Sequence, residues 1–411
     1  MKSKKILIST GHGRLHLFQS ATSLFKIGKK ISLLTGWVPN KTNTNFIRFL
    51  SYLTSHPSLN AGLKKRKVHL EIDKIHSLSF IEFLTQFLII ISKKTKLFSK
   101  DFSVTIGWKL FSFFSQFYIS KYEIFHVRSG AGGSAIKKAK KLKIPVIVDQ
   151  SIAHPLFFEH FVNPTEINAG LSPFITPNNS FWKLVLNDCE LADVILVNSY
   201  FVKKTFINNG FDANKIHVIY LGVRSDFYFL KKRYIIRDNI IKILFTGYFS
   251  YRKGAHIILE ALSKLEKLNI KFEMTIVGKY DEMQSLITKY SHLNINYVGH
   301  IPQDNLKKYL SSSDIYLFPS LGEGCASSGM EALSAGIPTI ATVESGLPIE
   351  HLKNGYLIKP NSVEDTVNAI INLSNDLDLR ETIGKNAAMD IKNNYTWDNY
   401  AMNLNKLYNS L

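Results

Sequence analysis

The most constraining feature of this sequence is a repeated alternation of short apolar runs with segments of helical period. Ten apolar runs, each flanked by turn residues, have the length and composition of buried parallel strands. They are Lys5–Ser9, Ile124–Val127, Pro145–Val148, Asp193–Asn198, Lys215–Tyr220, Lys242–Thr246, Phe272–Val277, Asn294–Val298, Asp314–Pro319 and Pro338–Thr342. Helical segments such as Ser134–Lys143 and His256–Leu268 lie between them. The pattern predicts an α/β protein with doubly wound parallel sheets.

Two domains are expected, because the alternation restarts after the polar stretch Tyr228–Asn239. The length of 411 residues also exceeds the size at which single cores stop growing. The segment Tyr395–Leu411 has the pattern of a final amphipathic helix. Cys189 and Cys325 lie far apart, which favours a reducing compartment and indicates neither a disulfide framework nor a metal site. The basic start lacks a long apolar run, so it indicates a first strand and not a signal peptide.

The formal net charge of +19 is concentrated in the first 150 residues, which hold 26 Lys plus Arg against 6 Asp plus Glu. The other 261 residues hold 25 against 26. This asymmetry indicates that the first half meets a polyanion or an anionic surface, or else carries a solvated basic face. A nucleic acid as partner is supported by charge alone, because no zinc spacing, RNA-binding signature or helix-turn-helix pattern accompanies it.

Two apolar stretches, Leu78–Ser92 and Phe102–Ser120, adjoin this charge. Neither reaches the roughly 20 uninterrupted apolar residues that a spanning helix needs. One interpretation is an interfacial helix whose aromatic side chains enter a bilayer while nearby lysines meet anionic headgroups. Those lysines are Lys93, Lys94, Lys96 and Lys100. The alternative is a buried helix pair, and the second stretch has too many aromatic residues for one helical face, so some of them are expected in the core.

The loop after the strand Lys242–Thr246 carries Arg252 and Lys253 just before a helix. Ligands of open α/β sheets bind outside the carboxyl ends of strands, where two cations can neutralise a pyrophosphate. The guanidinium adds planar donors. Taken alone, the pair is equally consistent with a solvated helix start.

The segment Tyr316–Thr342 runs from a buried strand through a glycine-rich loop into a helix. Its glycines let the backbone approach a ligand, and the helix start near Ser327 and Ser328 offers amides to a phosphate. The glycines concerned are Gly322, Gly324 and Gly329.

Two carboxylates in this segment have different surroundings and can do different work. Glu323 lies in the loop, where it can bond sugar hydroxyls, and Glu331 lies early in the helix, where it can accept a diol pair. The alternative for Glu331 is a capping box with Ser328, which needs no ligand.

Glu323 and Glu331, with their glycines and the run Glu-Ala-Leu-Ser-Ala-Gly-Ile-Pro, resemble the E-x7-E signature of glycosyltransferase family 4. The Arg252-Lys253 segment, the Asn354-Gly355 turn and the terminal Tyr-Thr-Trp helix follow in that family's order. Residues 191–199 and 216–223 resemble strands of the family's first domain. The resemblance is specific from about residue 185 onward.

The resemblance implies the GT-B fold, in which two Rossmann-like domains with parallel sheets face a cleft. The expected acceptor-side domain is residues 1–228, the nucleotide-sugar-binding domain is 229–394, and a C-terminal helix at 395–411 crosses back to the first domain. The family further implies retention of the anomeric configuration by front-face displacement, without a metal or other cofactor, while cations and helix amides stabilise the departing nucleotide diphosphate.

The donor-side residues follow by position from the resemblance. Glu323 is expected to contact the transferred sugar, Glu331 the ribose hydroxyls, and Arg252 and Lys253 the pyrophosphate. The further donor-binding residues are Gly247, Gly324, Cys325, Ala326, Ser327 and Ser328. The sequence departs from the family at two places: Tyr248 follows Gly247 where an arginine is common, and Gly324-Cys325-Ala326 stands where Gly-Phe-Gly is frequent.

On the acceptor side, the family's catalytic histidine aligns with Arg128. His126 lies two residues earlier, and His154 is a further candidate. An acceptor-side loop is expected after the first strand, since glycines there let a substrate approach the strand end. Its residues are Gly11, His12, Gly13 and Arg14.

The expected function is transfer of a sugar from a nucleotide sugar donor to a glycan or lipid-linked acceptor, in cell-envelope or surface polysaccharide synthesis. The expected location is the cytoplasm or the inner face of the membrane, with an anionic lipid surface as partner. An epimerase or phosphorylase of the same fold is the alternative, since fold does not determine chemistry. Two carboxylates at a cleft argue against a nucleic-acid binder.

Overall fold

The computed structural model describes residues 4–13, 16–38, 74–95, 98–229 and 231–411. Two sheets with helices between their strands organise this part of the chain, which confirms the predicted α/β class. The strands are β1 (Lys5–Gly11), β2 (Lys30–Thr35), β3 (Lys74–Ser77), β4 (Ile124–Arg128), β5 (Val146–Gln150), β6 (Val194–Val197), β7 (Ile216–Val218), β8 (Ile241–Thr246), β9 (Phe272–Val277), β10 (Ile295–Gly299), β11 (Ile315–Phe318), β12 (Thr339–Thr342) and β13 (Tyr356–Ile358).

The helices follow the amphipathic segments of the sequence. Those of the first half are α1 (Leu17–Lys26), α2 (Ser79–Thr95), α3 (Lys100–Ser115), α4 (Gly133–Lys141), α5 (Pro155–Phe161), α6 (Asn163–Asn168), α7 (Ser180–Leu191) and α8 (Tyr200–Ile207). Those of the second half are α9 (Ala255–Lys267), α10 (Gln284–Lys289), α11 (Leu306–Ser312), α12 (Ser327–Ser334), α13 (Val363–Asn375), α14 (Leu377–Asn394) and α15 (Trp397–Ser410).

The first sheet has the strand order β3-β2-β1-β4-β5-β6-β7. The pairs from β3 to β5 are parallel, with Ile8 opposite Leu33 on one side and His126 on the other. Side chains on both faces of β1 are buried, as in sheets that helices cover on each side. Polar residues after these strands therefore gather at one edge of the sheet.

The second sheet has the order β10-β9-β8-β11-β12-β13 and is parallel throughout. Its two central strands, β8 and β11, are buried along nearly their whole length, and Phe245 and Phe318 stack with centroids 5.7 Å apart. The carboxyl ends of β8, β11 and β12 lead into the loops that the sequence singles out as ligand-binding.

The described residues form two compact units, whose ranges are not continuous in sequence. The first unit comprises Met1–Gln150, Asn178–Leu196 and Ala401–Leu411. The second comprises Ser151–Pro177 and Val197–Tyr400. The last part of α15 thus belongs to the first unit, where the Tyr408 hydroxyl is 2.7 Å from Nδ1 of the buried His126.

Replacing Tyr408 with Phe is expected to lower the free energy of unfolding by about 1–3 kcal/mol, because a buried imidazole nitrogen loses its partner. Urea unfolding monitored by circular dichroism measures this change. The matched control is Tyr200→Phe, since Tyr200 is 70% exposed and should lose less than about 0.5 kcal/mol. Equal stability of the Tyr408 variant and the control would contradict the structural importance of this bond.

Candidate active site

The loop after β8 brings both predicted cations to the carboxyl edge of the second sheet. The backbone of Arg252 is held by the loop after β11, because its carbonyl accepts hydrogen bonds from Leu321 N at 2.8 Å and Ser320 Oγ at 3.3 Å. Lys253 Nζ lies 5.3 Å from the ring centroid of Phe318. A β-carbon added to Gly247 would lie 3.1 Å from the same ammonium. The two cations and the glycine therefore lie together, as the sequence predicts.

Glu323 is bonded to both cations. Arg252 Nη1 donates to Glu323 Oε1 at 2.6 Å and to Gly322 O at 2.9 Å, and Lys253 Nζ lies 3.6 Å from the same carboxylate oxygen. All three side chains are at most one-quarter exposed. Two positive charges thus share one negative charge, which leaves the group with a net positive charge at neutral pH.

Helix α12 carries Glu331, and its start excludes the capping box. The residue before the helix is Ala326, so Ser328 is its second residue and not its N-cap. The Glu331 side chain accepts a hydrogen bond from Gln303 Nε2 at 2.6 Å. Burial raises the pKa of Glu331 to about 7, although the bond to Gln303 acts in the opposite direction. The capping-box interpretation is therefore wrong, and the carboxylate belongs to a separate polar network.

That network includes residues that the sequence did not single out. Gln303 Oε1 accepts from Arg224 Nη1 at 2.5 Å, and Arg224 also pairs with Asp226 through two hydrogen bonds of 3.1 and 2.6 Å. Gln303 and Arg224 are 79 residues apart, so no local motif could connect them. Gln303 therefore connects Arg224, a third cation, to Glu331.

A cluster of side-chain hydroxyl groups contacts the start of α12. The buried Tyr316 hydroxyl donates to Ser328 Oγ at 3.1 Å and lies 3.0 Å from Thr246 Oγ1. Burial raises the pKa of Tyr316 well above its ordinary value, so the phenol stays protonated. The cluster therefore connects β8 and β11 to α12. The first backbone amides of this helix have no hydrogen-bond partner within the helix. The cluster positions Ser328 beside Gly247, since a β-carbon on that glycine would lie 3.9 Å from Ser328 Oγ.

The glycine-rich loop packs against other parts of its own unit. A β-carbon on Gly324 would lie 1.8 Å from Ser151 O, and one on Gly329 would lie 2.6 Å from the Leu347 side chain. These glycines therefore give room to protein atoms, whereas the sequence predicts that they let a ligand approach the backbone. The amide of Ala326 is also engaged, donating to Ser345 O at 3.1 Å. Cys325 is buried, which raises its thiol pKa to about 12.

Two other motifs lie away from this group. The Asn354-Gly355 turn precedes β13, which is parallel to β12, so the turn lies at the opposite edge of the sheet. Asn354 is buried and bonds within its own loop and to Asp390 Oδ2 at 2.9 Å. Asp376 and Asp378, an Asp-x-Asp pair in the sequence, lie at the start of α14, where Asp376 Oδ1 caps the helix by accepting from Leu379 N.

In the first unit, Arg128 ends β4 beside the predicted acceptor-side loop. Its Nη1 donates to His12 O at 3.2 Å, and its guanidinium lies 4.8 Å from the ring centroid of Trp108. Burial lowers its pKa to about 10, while Asp149 acts in the opposite direction. The His12 ring lies edge-on to Trp108, and its Nε2 is 3.1 Å from Gly107 O.

A carboxylate and two histidines lie at the same edge of the first sheet. Asp149, near the end of β5, accepts from His16 Nε2 at 3.0 Å and lies 3.6 Å from His126 Nε2. Burial raises the pKa of Asp149, but the two histidines lower it by more, and the net shift is downward. His16 and Asp149 were not predicted as site residues, because their pairing joins positions 133 residues apart.

The remaining acceptor-side candidates have distinct surroundings. His154, in the second unit, is buried, accepts from Leu156 N to cap α5, and has its pKa lowered by burial to about 4. Gly11 lies against Trp108, whereas Gly13 has open space beside it. Arg14 lies outside the described residues. Within the described ranges, no three His, Cys, Asp or Glu side chains are placed to hold a metal ion.

Comparison with known families gives two adjoining matches. The family model described as "Glycosyltransferase Family 4" matches residues 89–227, and "Glycosyl transferases group 1" matches residues 226–390. An uncharacterized glycosyltransferase of Methanocaldococcus jannaschii is 27% identical over 240 residues, covering 54% of this chain and 61% of that protein. The amylovoran biosynthesis glycosyltransferase of Erwinia amylovora is 29% identical over 194 residues, covering 44% and 47%. The chain thus spans about half to three-fifths of these relatives.

Solved structures share the two-domain architecture. The Anabaena protein HepE, crystallised in complex with UDP-glucose, superposes with a TM-score of 0.64 at 17% identity, and the match covers 99% of this chain and all of that one. This likeness establishes the GT-B fold.

Glu331 should give the protein a characteristic pH dependence of stability. Its pKa is about 7 in the folded protein and 4.5 ordinarily, so between these values the folded state holds a proton that the unfolded state has released. The free energy of unfolding should therefore fall as pH rises from about 4.5 to 7, by on the order of 1–3 kcal/mol from this group. Glu331→Gln should remove that fall.

Denaturant unfolding at a series of pH values compares wild type, Glu331→Gln and the control Glu260→Gln, whose carboxylate is exposed on α9. The control should follow the wild-type curve. A Glu331→Gln curve parallel to wild type across this range would show that burial does not perturb the carboxylate.

Proposed function

We propose that this chain, which is a member of glycosyltransferase family 4, transfers a sugar from a nucleotide diphosphate sugar to a glycan or lipid-linked acceptor. The observation that carries the proposal is the group formed by Arg252, Lys253 and Glu323 beside the start of α12. Two cations, free helix amides and a carboxylate at one sheet edge suit a diphosphate attached to a hydroxyl-rich ring. The UDP-glucose bound to HepE supports a nucleotide sugar as donor.

The donor pyrophosphate is assigned to the cations. Arg252 presents a planar fork to the phosphate oxygens, and Lys253 adds a point charge over Gly247. As the bond to the sugar breaks, negative charge grows on the leaving diphosphate, and fixed cations in a partly buried place stabilise it. Since Tyr248 replaces the arginine frequent after Gly247, Arg252 supplies that charge in this chain.

The sugar and the ribose are assigned to the two carboxylates. Glu323 contacts the transferred sugar after exchanging part of its bonding with Arg252 for sugar hydroxyls. Glu331 accepts the ribose diol, and Gln303, already bonded to it, provides a donor in the same place. The donor-binding set also includes Gly324, Cys325, Ala326, Ser327 and Ser328. Since the Ala326 amide is bonded to Ser345, the free amides are those of the first turn of α12.

Transfer retains the anomeric configuration. The acceptor oxygen bonds to the anomeric carbon on the face that the diphosphate leaves, the carbon–oxygen bond to the β-phosphate breaks, and the acceptor proton passes to a leaving phosphate oxygen. No protein nucleophile and no cofactor takes part in this step. Product anomers identified by NMR test it, and inversion would contradict it. Formation of a sugar 1-phosphate from the glycan and inorganic phosphate, without a nucleotide sugar, would identify a phosphorylase instead.

The acceptor is assigned to the first unit. Arg128 has a buried guanidinium held by the His12 carbonyl and Trp108, so it offers a fixed positive charge at the edge where Gly13 is open. His126 is fully buried and bonded to Tyr408, and His154 caps a helix, which favours Arg128 among the catalytic candidates. The amylovoran biosynthesis relative supports a role in polysaccharide synthesis.

Lys253→Ala should weaken nucleoside diphosphate binding by about tenfold to a hundredfold, because one charge-assisted bond to the diphosphate is lost. A thermal-shift panel of nucleoside diphosphates first identifies the base, and calorimetry then gives dissociation constants. The matched control is Lys264→Ala, which removes one exposed charge from α9 in the same unit. Unchanged affinity in the Lys253 variant would remove this residue from the donor site.

Glu323→Gln, measured in the same experiment, distinguishes binding of the nucleoside diphosphate from contact with the transferred sugar. Because Glu323 shares both cations, neutralising it should leave diphosphate affinity equal or higher while turnover of the donor falls by about a hundredfold. A loss of diphosphate affinity would instead place Glu323 on the nucleotide.

Turnover should persist in excess EDTA, because Arg252 and Lys253 supply the two positive charges that the leaving diphosphate requires. Donor turnover is measured with and without EDTA after prior dialysis against the chelator. Complete inhibition that Mg²⁺ reverses would contradict a metal-independent mechanism.

A further inference from the structure

Helices α2 and α3 have their apolar and polar faces reversed relative to an ordinary buried helix pair. On α2, Phe80, Phe83, Phe87 and Ile90 recur at spacings of three and four residues and are 45–74% exposed. The residues that this helix buries include Thr85 and Ser92. Large apolar side chains thus face outward while small polar ones face the protein.

The same reversal holds for α3 and the turn after it. Phe102, Phe113, Phe114 and Phe117 are 39–63% exposed, whereas the serines of the helix are buried along with Trp108 and Phe111. Those serines are Ser103, Ser112 and Ser115. The prediction that the aromatic residues of this stretch divide between core and surface is confirmed.

The buried polar side chains are satisfied by backbone carbonyls. Thr85 Oγ1 donates to Ile81 O at 2.7 Å, Ser112 Oγ to Gly132 O at 2.7 Å, and Ser115 Oγ to Phe111 O at 2.7 Å. The helices also approach closely, since a β-carbon on Gly107 would lie 2.2 Å from Thr85 Oγ1. Small residues between closely packed helices and large apolar ones outside are typical of helix pairs in lipid.

The outward phenylalanines are concentrated and not scattered over the surface. Seven of the nine exposed phenylalanines among the described residues lie between residues 80 and 117. Soluble proteins rarely leave a contiguous apolar patch of this kind uncovered. On α3 and after it, Phe113, Phe114 and Phe117 contact one another with centroids 5.5–6.5 Å apart.

The charges around the patch identify what covers it. Exposed lysines flank the phenylalanines, and the acidic residue within α2, Glu82, is buried, where it accepts from Trp37 N. The exposed lysines are Lys94, Lys100, Lys109 and Lys121. Lys96 lies outside the described residues. Cations beside exposed aromatic rings match the anionic headgroups and acyl boundary of a bilayer.

We propose that the outward face of α2 and α3 docks this protein on a bilayer containing anionic lipids, with the phenylalanines in the headgroup–acyl boundary and the lysines at the phosphates. In this arrangement α2 and α3 lie in the plane of the membrane surface. In the described ranges, no helix is both long enough and apolar enough to cross a bilayer. The proposal is independent of the transferase reaction, because it concerns a surface that contains none of the residues assigned to transfer.

Vesicle flotation with the full chain tests the proposal. Wild type should float with vesicles of phosphatidylglycerol and phosphatidylcholine and not with phosphatidylcholine alone, and high salt should release it. Phe87→Ser with Phe117→Ser should lower partitioning by about tenfold or more, as should replacement of the four exposed lysines by Ser. The matched control is Phe161→Ser, since Phe161 is 67% exposed in the second unit and should have no effect.

Depth of insertion is measured with the variants Phe87→Trp and Phe117→Trp. The fluorescence that each introduced tryptophan adds to that of wild type should be quenched by brominated anionic lipid. Phe161→Trp should not be quenched. Absence of flotation at low salt, or flotation that the phenylalanine changes leave intact, would overturn the proposal. So would a dimer, seen by sedimentation, that the same changes dissociate, because the face would then be covered by a second copy.

Discussion

The candidate donor site depends on glycines at which two loops approach so closely that a β-carbon would clash with the neighbouring backbone. A β-carbon on Gly278 would lie 1.8 Å from Gly247 O, and one on Gly346 would lie 1.8 Å from Gly324 O. Both glycines have positive φ, 141° and 68°, so an L side chain would be strained there for a second reason. The first contact joins the loop after β9 to the loop after β8, and the second joins the loop after β12 to the loop after β11. A β-carbon on Gly254 would likewise lie 2.1 Å from Pro319 O, and this approach of the loop after β8 to the loop after β11 brings Arg252, Lys253 and Glu323 within bonding distance.

A shared carboxylate gives the assembled group its chemical character. Glu323 neutralises part of the charge of two cations, which keeps them together at a partly buried place where their mutual repulsion would otherwise be costly. A diphosphate brings more negative charge than one carboxylate and can displace it from the cations. In the proposed function, the carboxylate released in this way is adjacent to the sugar attached to that diphosphate. Under that proposal, one ionic group couples donor binding to placement of the side chain that contacts the sugar.

Short-range patterns predicted much of this arrangement. Each of the ten predicted runs overlaps a strand of the structure, and the loop cations and Glu323 meet at one edge because parallel strands end on the same side. Three strands were missed: β2, β3 and β13, the last only three residues long after an Asn-Gly turn. The partners Gln303 for Glu331 and His16 for Asp149 were also missed, because they join distant segments. The capping box failed because α12 begins two residues too early for Ser328 to cap it.

The first unit includes a segment that lies about 200 residues after its other parts in the sequence. Ala401–Leu411 complete it, and Tyr408 pairs with His126, a residue translated 282 positions earlier. During synthesis the second unit can therefore acquire all of its residues before the first has its final helix, although domains generally fold from the N-terminus. Until residues 401–411 have been made, the buried imidazole of His126 lacks the Tyr408 hydroxyl. Emergence of the first 228 residues is therefore not enough to complete the first unit, because residues 401–411 must also have left the ribosome.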